Sequence, residues 1–149
     1  HATFVALLVR RDCPAWAHAG DSRLYHFRDC RLMPRTEVYT YASYLRAQGR
    51  AEQALEAERR YKHMLVSSLG LARRPDLLIE DTDDLRSGDS FLLCSDGLWS
   101  YFGDDELGET LANLNPREAS NELVSLARQR ARGAGDNLSL AIVKLEPPQ

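Results

Sequence analysis

Three acidic turns carry the residues best suited to chemistry: "GDSR" at Gly20–Arg23, "SDG" at Ser95–Gly97 and "GAGDN" at Gly133–Asn137. Each sets an aspartate, Asp21, Asp96 or Asp136, at the end of an apolar run that reads as a strand. Carboxylates on the strand ends of one sheet can converge at its rim, and such oxygen donors suit a hard divalent cation, Mg²⁺ or Mn²⁺. Glycines beside them let the backbone approach closely. Two such cations about 3.5–4 Å apart would activate a water and neutralise a phosphoryl group under attack. Taken singly, each triplet is more often a turn or a helix cap than a ligand.

Other candidates read as structure. "DTDD" at Asp81–Asp84 lacks the glycine and the distal glutamate of a calcium loop, so it reads as a solvated strand exit. The four histidines have no metal-ligand spacing and no Ser-His-Asp context; His18 and His63 read as packing or surface residues. Cys94 sits inside an apolar run and reads as a small buried hydrophobe, and Trp16 and Trp99 as core. Three cysteines (Cys13, Cys30, Cys94) without CxxC spacing argue against a disulfide framework or a zinc site, and for a reduced, cytoplasmic compartment.

A chain of 149 residues holds one domain at most. Its net charge of −3 speaks against an electrostatic nucleic-acid binder. The basic clusters Arg59, Arg60, Lys62 and Arg128, Arg130, Arg132 have acids interleaved nearby and read as solvated helix faces. No apolar stretch approaches the roughly 18–20 residues of a membrane span, and nothing has the pattern of a signal peptide. The chain opens at His1 straight into a buried-strand pattern, "ATFVALLV", so it is expected to be a piece of a longer protein.

The elements that must position the three turns follow from periodicity. Residues 2–33 read as a β-meander: "ATFVALLV", "AWAHA", "LYHF" and "RLM". From about Tyr41 to Lys62 good helix formers dominate, with Gly49 dividing them into one helix or two, and "KHMLVSSLG" follows as a short helix. "DLLIEDTD" and "SFLLCSD" read as strands joined by a polar loop, and a helix is expected to start near Asp104. Pro116–Arg132 has every helix signal: Asn115 as cap, Pro116 in the first turn, Glu118 as capping-box acid, and Gly133 as terminator. In the final strand Leu138, Leu140, Ile142 and Lys144 alternate against Ser139, Ala141 and Val143. Strands in antiparallel succession with helices between and after them give an α+β layered domain, since the βαβ alternation of a parallel sheet is absent.

The order of the motifs is what raises them above turns. "AHAGDSRLYHFRDCRL", "MLVSSLG", "SGDSFLLCSDGLWSYFGDDEL" and "GAGDNLSLAIVKL" together resemble the metal-dependent serine/threonine protein phosphatases of type 2C, the PPM family, in its bacterial form. The resemblance runs from about Ala2 to Leu145. It implies an antiparallel β-sandwich flanked by helices, a four-layer αββα fold lacking its N-terminal part, with a two-metal site at one edge. The implied activity is hydrolysis of phosphoserine and phosphothreonine in proteins by a water that two Mn²⁺ or Mg²⁺ ions activate. On that likeness Asp96 and Asp136 match metal-binding aspartates, and Asp21 matches a residue that helps hold a weaker third metal in several members. Gly97 would permit a sharp turn and Asn137 would steady its loop, while Ser95 and Cys94 would have no chemical role. The partners implied are a phosphoprotein substrate and a cognate serine/threonine kinase pathway, with no nucleic acid and no membrane.

The departures from the family pattern are equally specific. The family's phosphate-gripping arginine, a further acid, and the aspartate-glycine motif that bridges both metals have no match here, and the chain begins where the family's glycine-threonine-threonine strand would start. Val38, Tyr39 and Thr40 replace an aspartate-histidine-serine element, Ser100 stands where many members have an acid, and Tyr41–Ser67 corresponds to the variable flap. The 1–149 chain is therefore expected to be a partial phosphatase domain, inactive alone, that either associates through truncated sheet edges or is less stable than a domain of its size. A non-catalytic phosphatase-like binding or regulatory module is the alternative.

Overall fold

The computed structural model describes residues 2–10, 13–36, 40–60, 69–70 and 77–146. Three strands, β1 (Phe4–Leu8), β2 (Ala15–Ala19) and β5 (Leu78–Asp81), form one antiparallel sheet in the order β1-β2-β5. Four more, β3 (Arg23–Arg28), β4 (Arg31–Arg35), β6 (Asp89–Cys94) and β7 (Leu140–Lys144), form a second in the order β4-β3-β6-β7. The expected meander is thus divided between two sheets, the chain crossing from one to the other at Gly20–Ser22. The crossing requires glycine: Gly20 has φ +101°, and a Cβ there would stand 2.6 Å from the Thr3 side chain.

Alternation along the strands builds two cores. Trp16, Leu24 and Phe91 fill the space between the sheets, with Val5, Leu7, Leu93 and Val143 against them. The opposite face of the four-stranded sheet sends Tyr25, Phe27, Leu92 and Cys94 toward three helices, α3 (Asp96–Trp99), α4 (Asp104–Asn113) and α5 (Pro116–Ala131). Leu98, Leu107, Leu111 and Leu123 meet them there, each fully buried side chain contributing about 1.5–3 kcal/mol. Helix α5 carries the expected capping box: the Asn115 side chain accepts from the Glu118 N–H at 3.0 Å, and the helix ends with Arg132 in the left-handed region before Gly133. On β7 Leu140 and Ile142, with Leu138 just before the strand, face the helices as the alternation predicts. Lys144 shares that side, and its Nζ donates to the carbonyls of Leu111, Ala112 and Leu114 at the C-terminal end of α4.

Gly49 divides its segment into two helices, α1 (Tyr41–Ala47) and α2 (Ala51–Arg60), packed on each other through Ala42, Leu45, Ala54 and Ala57. Of the "KHMLVSSLG" helix only Leu69 and Gly70 are described, Leu69 in a bridge with Ala2; Lys62, His63, Val38, Tyr39 and the end of the 41–67 flap lie outside the described residues. The outer face of the three-stranded sheet is open, with Phe4 39%, Leu8 58% and Ile79 71% exposed. Among the described residues no helix is long and apolar enough to cross a membrane.

The end of β6 remote from Asp96 holds a buried charge cluster. Asp89 is fully buried and accepts Arg28 Nε at 2.8 Å and the Arg86 backbone N–H at 2.9 Å, while His26 Nε2 lies 3.0 Å away. Burial alone would raise the Asp89 carboxyl, but Arg28, the Arg86 N–H and His26 together hold it below the ordinary value. Asp84 is not simply solvated as expected of "DTDD": it takes Arg28 and Arg86, each at 2.8 Å, because the second end of the Arg28 fork needs an acceptor.

Candidate metal centre

The two strands that lead to the candidate ligands are neighbours. Cys94 on β6 stands opposite Leu140 on β7. Beyond that pair the backbones stay zipped, with the Ser95 N–H donating to the Ser139 carbonyl at 3.0 Å and the Ser139 N–H donating to Ser95 Oγ at 3.0 Å. Asp96 follows Ser95 and Asp136 precedes this clamp, so both carboxylates leave the same end of one strand pair. Each is oriented by its own backbone: Gly97 N–H donates to Asp96 Oδ1 at 2.9 Å, and Asn137 N–H to Asp136 Oδ1 at 2.7 Å.

Gly97 serves the close backbone approach expected of glycines beside the aspartates, and not the sharp turn. It lies inside α3 and is not among the positive-φ glycines, so no special turn depends on it. A Cβ at Gly97 would stand 2.3 Å from the Asn137 carbonyl oxygen and 3.4 Å from that of Asp136. The missing side chain is what lets the Asp136–Asn137 loop lie directly on the turn that holds Asp96. Asn137 contributes to this contact with its carbonyl oxygen.

Asp21 reaches the same end by the other neighbour of β6. Arg23 on β3 stands opposite Cys94, which places Asp21, two residues earlier, beside the start of α3. Trp99 Nε1 donates to the Asp21 carbonyl at 2.9 Å, and the Arg23 guanidinium lies 3.5 Å above the Trp99 ring. Asp21 and Asp96 are half-buried, and Asp136 is exposed. Among the described residues no group of three or more histidine, cysteine, aspartate or glutamate side chains is placed to hold a metal, so the three aspartates share a sheet end without closing into a full cage.

The thiol and the phenol nearest this edge are held in their neutral forms. Burial pushes the Cys94 thiol up to about 12, which keeps it protonated and inert at neutral pH. Burial also raises the Tyr25 phenol, against the lowering pull of its Arg23 hydrogen bond. Ser100 Oγ donates to the Asp96 carbonyl at 2.6 Å, closing the single turn of α3. A cleft of about 650 Å³, lined by Tyr101, Val124, Ala127 and Arg128, opens against Asp136. The donor set at this edge, three carboxylates without sulfur or imidazole beside them among the described residues, fits a hard oxygen-seeking cation that keeps several waters.

Sequence reasoning missed Ser95, Trp99 and Arg23. Ser95 had been given no role, yet it is the side chain that ties the two aspartate loops. The available signal was spacing: Trp99 lies three residues beyond Asp96, one helical turn on.

No protein-family model matches the chain. It is 30% identical over 142 residues to the serine/threonine protein phosphatase PstP of Mycobacterium tuberculosis, covering 94% of this chain and 26% of that protein. The structure of a Streptococcus agalactiae serine/threonine phosphatase superposes with a TM-score of 0.80 at 25% identity, over 97% of this chain and 59% of that one. The catalytic domain of a PstP crystallised in complex with two manganese ions superposes with a TM-score of 0.71 at 26% identity, over 97% and 59%. The chain thus spans about a quarter of the PstP protein and about three fifths of either solved chain. The order of its three motifs, its two antiparallel sheets with helices packed on one, and these similarities agree: the chain belongs to the PPM, or type 2C, family of serine/threonine protein phosphatases.

Proposed function

We propose that the protein carrying this chain hydrolyses phosphoserine and phosphothreonine in proteins, and that this chain supplies one side of a two-metal site. Asp96 and Asp136 would each give a carboxylate oxygen to Mn²⁺ or Mg²⁺, with Asp21 at the edge contributing to a weaker third ion. Gly97 and the Asn137 carbonyl hold the two ligand loops together, and Ser95 fixes their register. What the bound metal supplies is an activated water at neutral pH and positive charge beside the phosphoryl oxygens. The relative whose structure contains two manganese ions supports this choice of cofactor. The observation that carries the reading is the contact at Gly97, a position where any side chain would part Asp96 from Asp136.

Residues 1–149 act in this reading as one partial phosphatase domain, with 41–67 as the segment that meets the substrate. A phosphoprotein substrate, a kinase acting on the same sites, and a cytoplasmic location follow from the activity and from the three unpaired cysteines. Calorimetric titration with Mn²⁺ of the chain and of Asp96→Asn, beside hydrolysis of a phosphothreonine peptide, tests it. Weak binding abolished by the substitution, with no turnover by the chain alone, is expected. Equal binding by both proteins overturns the assignment of Asp96.

A further inference from the structure

We infer that Trp99, clamped by Arg23, is a positioning residue that couples the Asp96 turn to the Asp21 turn, so that the two aspartates meet a cation as one unit. This rests on the metal reading above. Helix α3 is a single turn of four residues, Asp96–Trp99, far too short to hold its own orientation. Its direction must come from what it touches. Leu98 is fully buried in the helix-side core and fixes the back of the turn. Gly97 rests on the Asn137 carbonyl and fixes the side toward Asp136.

The remaining side faces the corner between β2 and β3, where Trp99 makes the connection. Its indole N–H donates to the Asp21 carbonyl at 2.9 Å, across 78 residues of sequence. Trp99 and Asp96 are three positions apart in α3, so a bond that anchors Trp99 also restrains the single backbone turn that carries Asp96. Arg23, two residues after Asp21, covers the ring at 3.5 Å and donates through Nη1 to the Tyr25 hydroxyl at 3.1 Å. A planar guanidinium held between an aromatic face and a phenol keeps its geometry in a way a flexible ammonium does not. The Arg23 Nε is buried without a hydrogen-bond partner, so a polar atom is left unsatisfied to keep the ring covered. Asp21 and Arg23 thus both meet Trp99, which shares its helical turn with Asp96.

The test separates positioning from stability. Mn²⁺ alone is titrated by calorimetry into the chain, Trp99→Phe, Asp21→Ala and the double variant, with thermal melts in parallel. Trp99→Phe keeps an aromatic face under Arg23 and removes the donor together with one ring, a packing loss that the melts record. It is expected to weaken Mn²⁺ binding about three- to tenfold, the worth of one hydrogen bond. In the Asp21→Ala background the same substitution should change affinity less than about twofold, because the partner turn no longer carries a carboxylate. Arg23→Lys, which preserves charge, should weaken binding in the same direction as Trp99→Phe. Unchanged affinity in Trp99→Phe, or an equal loss in both backgrounds, overturns the coupling and leaves the metal reading standing. Absence of Mn²⁺ binding by the parent chain overturns both.

Discussion

Gly97→Ala is the substitution on which the account of the site bears hardest. The added methyl would sit 2.3 Å from the Asn137 carbonyl oxygen, and ordinary contact begins at 3.4 Å. The obstacle is backbone, so the Asp136–Asn137 loop must retreat by about 1 Å, at an overpacking cost of about 1–3 kcal/mol. Replacing glycine within a helical turn returns about 0.5–1 kcal/mol. The net loss of about 0.5–2 kcal/mol corresponds to a fall in Tm of roughly 2–8 °C. Metal sites tolerate displacement of about 0.5 Å, so Mn²⁺ affinity should drop at least about tenfold. Gly108→Ala is the matched comparison, because a Cβ there would meet the Cys30 carbonyl oxygen at the same 2.3 Å, on α4 and away from the site. Both variants should melt earlier, and only Gly97→Ala should lose Mn²⁺ in calorimetry. Parent-like Mn²⁺ affinity in Gly97→Ala, or an equal loss in Gly108→Ala, would refute the reasoning.

Three further outcomes are expected. Asp89 and Asp84 are held below the ordinary carboxyl value of 3.8, so their stabilisation is complete above about pH 4 and is lost as pH falls through the folded values; Asp89→Asn should cost about 3 kcal/mol at neutral pH and flatten the acid limb of a Tm-versus-pH curve. Lys144→Met keeps the apolar stem but strips three carbonyls at the end of α4 of their donor, and should lower the denaturation midpoint by the equivalent of about 1–2 kcal/mol. The Cys94 thiol, pushed up to about 12 by burial, should react with a disulfide reagent at pH 8 only on unfolding, whereas the exposed Cys30 should react at once.

The elements were legible where one physical signal dominated. Helix α5 announces itself through Asn115, Pro116, Glu118 and Gly133, because caps act within a few residues of chain. The alternation of Leu140, Ile142 and Lys144 against Ala141 and Val143 likewise decides which face of β7 meets the helices. What local pattern could not give was the division of the strands between two sheets, since the crossing at Gly20 depends on Thr3, seventeen positions earlier in the chain. The same limit governs the site. Asp21, Asp96 and Asp136 stood out as carboxylates at strand ends, but Ser95 binds Ser139, and Trp99 binds Asp21, over separations that periodicity does not encode. Gly97 stood out both for a sharp turn and for a close approach, and the structure shows the close approach without the turn, because both leave the same residue in the sequence.

The most direct measurement is an anomalous difference map from crystals of the chain soaked in Mn²⁺, recorded near the manganese absorption edge. The account predicts a peak in direct coordination with the carboxylates of both Asp96 and Asp136, absent from crystals of Asp136→Asn. Density for both carboxylates with no peak between them, or a peak bound only elsewhere on the chain, would contradict it.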